Sequence, residues 1–293
     1  MRIAGIDIGG TSVKLGVFDT GAGLVAAEKI PSGQAEPEAI VKGIADFVKK
    51  SDVEMVGVGT AGNVDAASGL VTADNLKWMA VPLRDMLAEA TGQRVWVDND
   101  ANAALMAEWY DGACRGATTA VYITLGTGVG GALLIGGKPW RGHTNTACEF
   151  GHIITHADGL KCSCTRSGCF EMYASAGALL RYTKATSVKR VMDGLEAGDR
   201  QIVEGFRVYI HELGIGMISL IMTFNPEEFV IGGGLAALGG RLLTAIRNEV
   251  YGAFSERPDY FLGNICLAKH GNDAGMIGAA LLALEMGDRI RRK

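Results

Sequence analysis

At 293 residues, with 48% apolar and 20% charged residues, the chain has the make-up of a globular protein with a sizeable core, as one large domain or two of ordinary size. Its 28 lysines and arginines against 32 aspartates and glutamates leave a net charge of −4, which gives no reason to expect nucleic acid as a partner. The longest apolar run, residues 213–224, is too short to cross a bilayer, and Asp7 with its glycine pair comes too early for a signal peptide, so a cytoplasmic chain with reduced cysteines and no membrane partner is expected.

Short runs of β-formers alternate with amphipathic stretches, which predicts an α/β fold. Strands are expected over 2–7, 12–18 and 24–30, then a helix over 37–50 with Ile40, Ile44, Phe47 and Val48 on one face. A strand over 55–59 precedes a helix over 82–91, which has proline at its start and Gly92 just past its end. The strand 94–98 leads into a helix over 101–110, whose N-terminus Asp98, Asn99 or Asp100 can cap. Further strands are expected over 120–125, 130–135, 151–156, 228–231 and 265–269, with helices over 200–223, 236–250 and 273–286.

An imperfect repeat organises these elements. DIGGTSVKLGVF at 7–18 and LGTGVGGALLIG at 125–136 each run strand, glycine/threonine turn, strand. Two related halves follow: residues 1–114 with a returning 273–293 segment, and residues 115–272, moving as hinged lobes.

The glycine turns suit phosphate. Gly9 and Gly10 let backbone N–H groups approach phosphate oxygens, Thr11 adds a hydroxyl, and Asp7 at the strand end is placed to hold a hydrated Mg²⁺. Lys14 can reach phosphate or brace the hairpin; without a ligand, the same residues make a tight turn. Gly126, Thr127 and Gly128 form the second copy. Their G-x-G-x-x-G run is not a dinucleotide fingerprint, because a strand follows it where a helix is required. Gly232, Gly233 and Gly234, between a strand and a helix, suit an adenine and its ribose, or a ligand-free turn equally well.

Asp98, Asn99, Asp100 and Asn102 lie where α/β folds gather their ligands, at the end of a strand. Near a helix N-terminus Asp100 is favoured as the anion, ready to accept a proton. Asp98 is expected to be the structural member of the pair, and purely capping roles account for the same residues.

Residues 149–171, EFGHIITHADGLKCSCTRSGCFE, carry the most specific signal. Cys162, Cys164 and Cys169 with one histidine complete a closed tetrahedral Zn²⁺ site. His152, ten positions before Cys162, can be the fourth ligand; on spacing alone His156 competes. Zn²⁺ there would hold Glu149 and Glu171 rigidly.

Together these motifs resemble the ROK family (repressor, open reading frame, kinase) of the sugar kinase–actin–Hsp70 superfamily, over essentially the whole chain. They are DIGGT at 7–11, DNDANAA at 98–104, LGTGVGG at 125–131, EFGH at 149–152, CSCTRSGCFE at 162–171 and GGG at 232–234. The resemblance implies two RNase-H-like lobes with a central cleft, ATP and a hexose as substrates, and a homodimer. It implies Asp100 as catalytic base and Asn99, Glu149, His152 and Glu171 as ligands of sugar hydroxyls, with Gly62, Asn63 and Asn75 as weaker additions. It also favours His152 over His156 for Zn²⁺. Two positions depart from the pattern: Cys148 and Thr165 stand where the family usually has glycine. Glucose is the leading substrate, with N-acetylmannosamine and related hexoses as alternatives. A sugar-sensing repressor is disfavoured because Asp7 leaves no room ahead of it for a DNA-binding helix pair, and a non-catalytic sugar binder because Asp100 and both phosphate turns are present.

Overall fold

The computed structural model describes residues 1–21, 23–32 and 36–291. Residues 292 and 293, the end of the expected returning segment, lie outside them. In chain order the elements are β1 (Arg2–Ile8), β2 (Ser12–Asp19), β3 (Gly23–Pro31), α1 (Pro37–Lys50), β4 (Met55–Thr60), β5 (Asn63–Asp65), β6 (Leu70–Ala73), β7 (Trp78–Val81), α2 (Leu83–Thr91), β8 (Arg94–Asn99) and α3 (Asp100–Asp111). There follow β9 (Thr119–Leu125), β10 (Val129–Ile135), β11 (Lys138–Pro139), α4 (Glu171–Ala174), α5 (Ala176–Thr183), α6 (Val188–Ala197), α7 (Arg200–Phe224), β12 (Glu228–Gly232), α8 (Gly240–Ala253), β13 (Asn264–Leu267) and α9 (Ala274–Arg291).

The chain divides into two compact units. The first comprises Met1–Gly112, Pro139–Ala147 and Asn272–Lys293. Its main sheet has the order β3-β2-β1-β4-β8, with β1 antiparallel to β2 and parallel to β4, and β4 parallel to β8. The apolar face of α1, formed by Ile40, Ile44, Phe47 and Val48, is buried in the same core as Ile6, Leu15 and Val58. The opposite packing is glycine-dependent. A Cβ on Gly5 would fall 2.2 Å from the Met276 carbonyl oxygen, on Gly57 1.8 Å from that of Ala279, and on Gly278 1.6 Å from that of Ala103. Helix α9 therefore touches β1, β4 and α3 backbone to backbone, an approach no larger residue permits. A small antiparallel sheet, β5-β6-β7, completes the unit.

The second unit comprises Ala113–Lys138 and Cys148–Gly271. Its sheet, β11-β10-β9-β12-β13, repeats the strand plan of the first: β9 is antiparallel to β10 and parallel to β12, which is parallel to β13. Helix α7 is long and apolar enough to cross a membrane by length and composition alone, yet its Leu213, Met217 and Ile221 are wholly buried in this unit's core with Phe170 and Phe229.

Two local expectations are corrected. Residues 151–156 are not a strand: Phe150–His152 is a 3-10 turn, and only Ile154 makes a bridge, to Cys169. The peptide leaves the extended path because its backbone closes on the cysteine loop, with Phe170 N donating to Ile153 O at 2.9 Å. The helix expected from 236 starts at Gly240, because Gly239 (φ +61°) ends a preceding 3-10 turn. The strands β5–β7 and β11 and helices α4–α6 were not expected at all.

Candidate functional site

In the first unit the β1–β2 hairpin closes tightly: Gly9 N donates to Ser12 O at 3.0 Å, and Ile8 pairs with Val13. Ser32, 1% exposed, locks this turn by donating from Oγ to Gly9 O at 2.6 Å and from N to Thr11 O at 3.3 Å. Nothing in the sequence pattern marked Ser32. Thr11 is exposed, and Asn75 lies over the turn, its Nδ2 3.3 Å from where a Gly10 Cβ would stand. Asp7 and Lys14 face each other across the hairpin, Oδ2 to Nζ at 3.2 Å, and Lys14 also donates to Asn272 O. Burial raises the Asp7 pKa, against the lowering effect of Lys14 and with a further rise from Asp273. A half-buried carboxylate so placed fits Mg²⁺, which takes one or two carboxylates and completes its shell with water and substrate phosphate.

The acidic turn at the end of β8 is fully wired. Asn99 caps α3: its Oδ1 accepts from Ala101 N at 2.9 Å and Asn102 N at 3.4 Å, while its Nδ2 donates to Gly62 O at 3.1 Å. Asp98 is buried and accepts from Asn99 N (2.8 Å), Asn102 Nδ2 (2.9 Å) and the Arg141 guanidinium. Asp100 opens α3, half-buried, with Oδ1 accepting from Ala101 N at 2.8 Å. Gly62 is held at φ +94°, where a Cβ would lie 2.4 Å from Thr72 O, and Asn63 beside it is exposed. The first unit thus gathers Asp7, Gly9, Gly10, Thr11, Lys14 and Asn75 around one turn, and Gly62, Asn99 and Asp100 around another.

In the second unit Gly126 N donates to Gly128 O at 3.0 Å, closing the β9–β10 hairpin over a loop one residue shorter, with Leu125 paired to Val129 and Thr127 exposed at the tip. Glu171, the first residue of α4, lies against this turn: its Oε2 is 2.8 Å from a Cβ position on Gly128. Its other oxygen, Oε1, accepts from Cys162 Sγ at 3.1 Å and lies 3.8 Å from His152 Nδ1. Glu149 precedes the 3-10 turn that carries His152. Although the residue as a whole is exposed, desolvation raises its carboxyl pKa; His152 opposes the rise and Glu171 adds to it. Of the third glycine turn, Gly232 is fixed by Tyr122 and Gly233 by its φ of +81° and contact with Leu125, whereas Gly234 faces open space.

His152, Cys162, Cys164 and Cys169 bring their ligand atoms within 4.8 Å of one another. Sγ of Cys164 and Cys169 are 3.4 Å apart, and Cys162 Sγ is 3.7 Å from His152 Nδ1. Tetrahedral Zn–S and Zn–N bonds of about 2.3 and 2.0 Å need edges of roughly 3.5–3.8 Å, so the donor set fits Zn²⁺. Burial pushes the Cys169 thiol up to about 12, so ionising the cluster calls for a cation at its centre. His156 is otherwise occupied: its ring stacks on Tyr173 at 3.9 Å, Nδ1 is 3.0 Å from Thr155 Oγ1, and Nε2 lies 3.1 Å from Glu212 Oε2.

The model described as ROK family matches residues 3–286. The glucokinase of Streptomyces coelicolor is 37% identical over 96% of this chain and 97% of its own length. The N-acetyl-D-glucosamine kinase of Aliivibrio salmonicida is 30% identical over 96% of this chain and 99% of its own. Among solved structures, a ROK family glucokinase from Streptomyces griseus in complex with glucose and AMPPNP is 34% identical, with a TM-score of 0.84 over 97% of this chain and 100% of that one.

Proposed function

The chain belongs to the ROK sugar kinases of the actin-like ATPase superfamily, and from that premise we propose that it transfers the γ-phosphoryl group of ATP to the primary hydroxyl of a hexose, with glucose as the preferred acceptor. One observation carries the reading: the Glu171 carboxylate touches the Gly128 phosphate turn with one oxygen and the cysteine–histidine cluster with the other. Phosphoryl transfer depends on positioning and electrostatics, so it calls for this juxtaposition of a phosphate cradle and a rigid hydroxyl clamp.

In this reading Asp100 accepts the proton of the attacking hydroxyl, and Asn99, Glu149, His152 and Glu171 grip the remaining hydroxyls, with Gly62, Asn63 and Asn75 at the margin. His152 turns Nδ1 to the cysteines and so keeps Nε2 for sugar. Backbone N–H groups at Gly9, Gly10, Thr11 and at Gly126, Thr127, Gly128 take phosphate oxygens. Lys14 holds Asp7 in place, and Gly232, Gly233 and Gly234 seat adenosine, Gly234 leaving the space. Bound through Asp7, Mg²⁺ would offset phosphate charge; bound by His152, Cys162, Cys164 and Cys169, Zn²⁺ would cross-link the loop that carries Glu171.

The shared strand plan of the two sheets supports assigning each unit to an RNase-H-like lobe. The reading extends to a cytoplasmic homodimer, for which light scattering of the purified protein is the check. Glucose is preferred because the 37% identical relative is a glucokinase, against 30% for the N-acetylglucosamine kinase. The test is ADP release across glucose, mannose, fructose, allose, N-acetylglucosamine and N-acetylmannosamine. Glucose should give the highest kcat/KM and yield the 6-phosphate. A leading N-acetylhexosamine would replace the substrate, and no turnover with any hexose would remove the kinase reading for this chain.

A further inference from the structure

Arg141 lies in a stretch, Pro139–Ala147, that belongs to the first unit although the chain on either side of it belongs to the second. Two side chains fasten the stretch. Asn145 Nδ2 donates to Asp65 Oδ1 at 3.0 Å, and Arg141 donates from Nε (2.8 Å) and Nη2 to Asp98 Oδ2. The turn is also closed on itself, with Gly142 at φ +70° and Ala147 N donating to Arg141 O at 3.3 Å.

The division of labour on Asp98 is informative. Among the described residues Oδ2 takes only the guanidinium, while Oδ1 takes Asn99 N and Asn102 Nδ2. Asn99 in turn caps α3 and holds Gly62 O. Asp98 is 6% exposed, so its charge lies in a region where an unmatched carboxylate is costly. Two guanidinium N–H groups converge on Oδ2 while Oδ1 is held by Asn99 and Asn102, so together they fix the carboxylate's rotation as well as match its charge; a lysine ammonium would supply the charge without the planar pair of donors. Rotation of Asp98 would carry Asn99 and the first turn of α3 with it, and Asp100 is the first residue of that turn.

We propose that Arg141 is a positioning residue for phosphoryl transfer: through Asp98 it sets the orientation of Asn99 and Asp100. Nothing in the motif pattern points to it, since a lone arginine in a loop between hairpin and zinc tract has no spacing signature. The inference rests on Asp100 being the base, and the experiment separates the two.

Full-length Arg141→Met, Arg141→Lys, Asp98→Asn, the double variant Asp98→Asn/Arg141→Met and Asp100→Asn are assayed for kcat, for both KM values and for melting temperature. Misplacement of a catalytic group by about 1 Å costs on the order of 10²-fold. Arg141→Met should therefore lose about that much kcat at saturating sugar and ATP, with KM for ATP within about twofold of the parent. Arg141→Lys, which keeps the charge and the fold, should lose about tenfold. The double variant, with no buried charge left unmatched, should regain about tenfold over Arg141→Met. Normal kcat in both Arg141 variants, alongside an inactive Asp100→Asn, overturns the positioning role and leaves the base intact. A lower melting temperature with unchanged kcat of the folded protein overturns it too, as does a double variant no better than the single one. An active Asp100→Asn removes the base, and this inference with it.

Discussion

Thr165 stands at φ +74°, exposed, at the tip of the cysteine loop, where the family pattern has glycine. For an L-residue the left-handed region costs roughly 1–2 kcal/mol, and a β-branched side chain sits at the upper end. Glycine removes that strain and gives back about 0.5–1 kcal/mol through its freer unfolded chain. No burial is lost, because the side chain faces water. Thr165→Gly should therefore stabilise the protein by about 1–1.5 kcal/mol. With an unfolding entropy of about 2.1 cal/mol/K per residue over 293 residues, that is about 2 °C in melting temperature. Calorimetry with Thr165→Ala as control resolves it, since alanine relieves the branching but not the left-handed backbone. Cys148, at φ +69°, is the contrast: it is half-buried against the core, so Cys148→Gly loses packing about as large as the strain it relieves and should be near neutral. If Thr165→Gly were neutral or destabilising, or no better than Thr165→Ala, the strain argument would be wrong.

Three further outcomes are expected. Stripping Zn²⁺ with a chelator should raise KM for sugar at least tenfold, because Glu171 and His152 lose their brace, and KM for ATP much less; fully active protein with well under one zinc per chain would contradict this. Gly278→Ala should destabilise by about 3 kcal/mol or more, because its methyl would meet Ala103 O at 1.6 Å and lift α9 off α3; denaturant melts report it. Asp65 has its pKa lowered by the Ser68 hydroxyl first, then by Ala67 N and Asn145 among others, so its contribution is present above the ordinary carboxylate pKa of about 3.9 and is lost as pH falls through the folded value. The penalty for Asp65→Asn should accordingly shrink in melts taken from about pH 5 down toward pH 3.

Much of the fold was legible because most strands of the two five-stranded sheets are short apolar runs bounded by glycine or asparagine; β11, only Lys138–Pro139, is not. The paired turns at Gly9 and Gly126 were legible for the same reason. The small sheet β5–β7 was not: Lys77 and Ala80 take positive φ there, and the register slips between Val71 and Ala73, so no alternation survives to be read. Helices α4–α6 were missed because Ser175 and Lys184 break the stretch into pieces of one to three turns. The alternation in residues 151–156 misled, because closure on the cysteine loop overrides strand propensity. The choice between His152 and His156 depends on a tyrosine 17 positions beyond His156 and a glutamate on α7, contacts that spacing cannot carry. Ser32 and Arg141 are held by contacts with residues distant in sequence, which no local pattern carries.

The most direct measurement is the turnover of Asp100→Asn at saturating sugar and ATP, with sugar affinity followed by calorimetry. Asparagine keeps the shape of the side chain and cannot take the proton. A fall of about 10²–10⁴-fold in kcat, with sugar still bound, is expected. Turnover within a few-fold of the parent would contradict it.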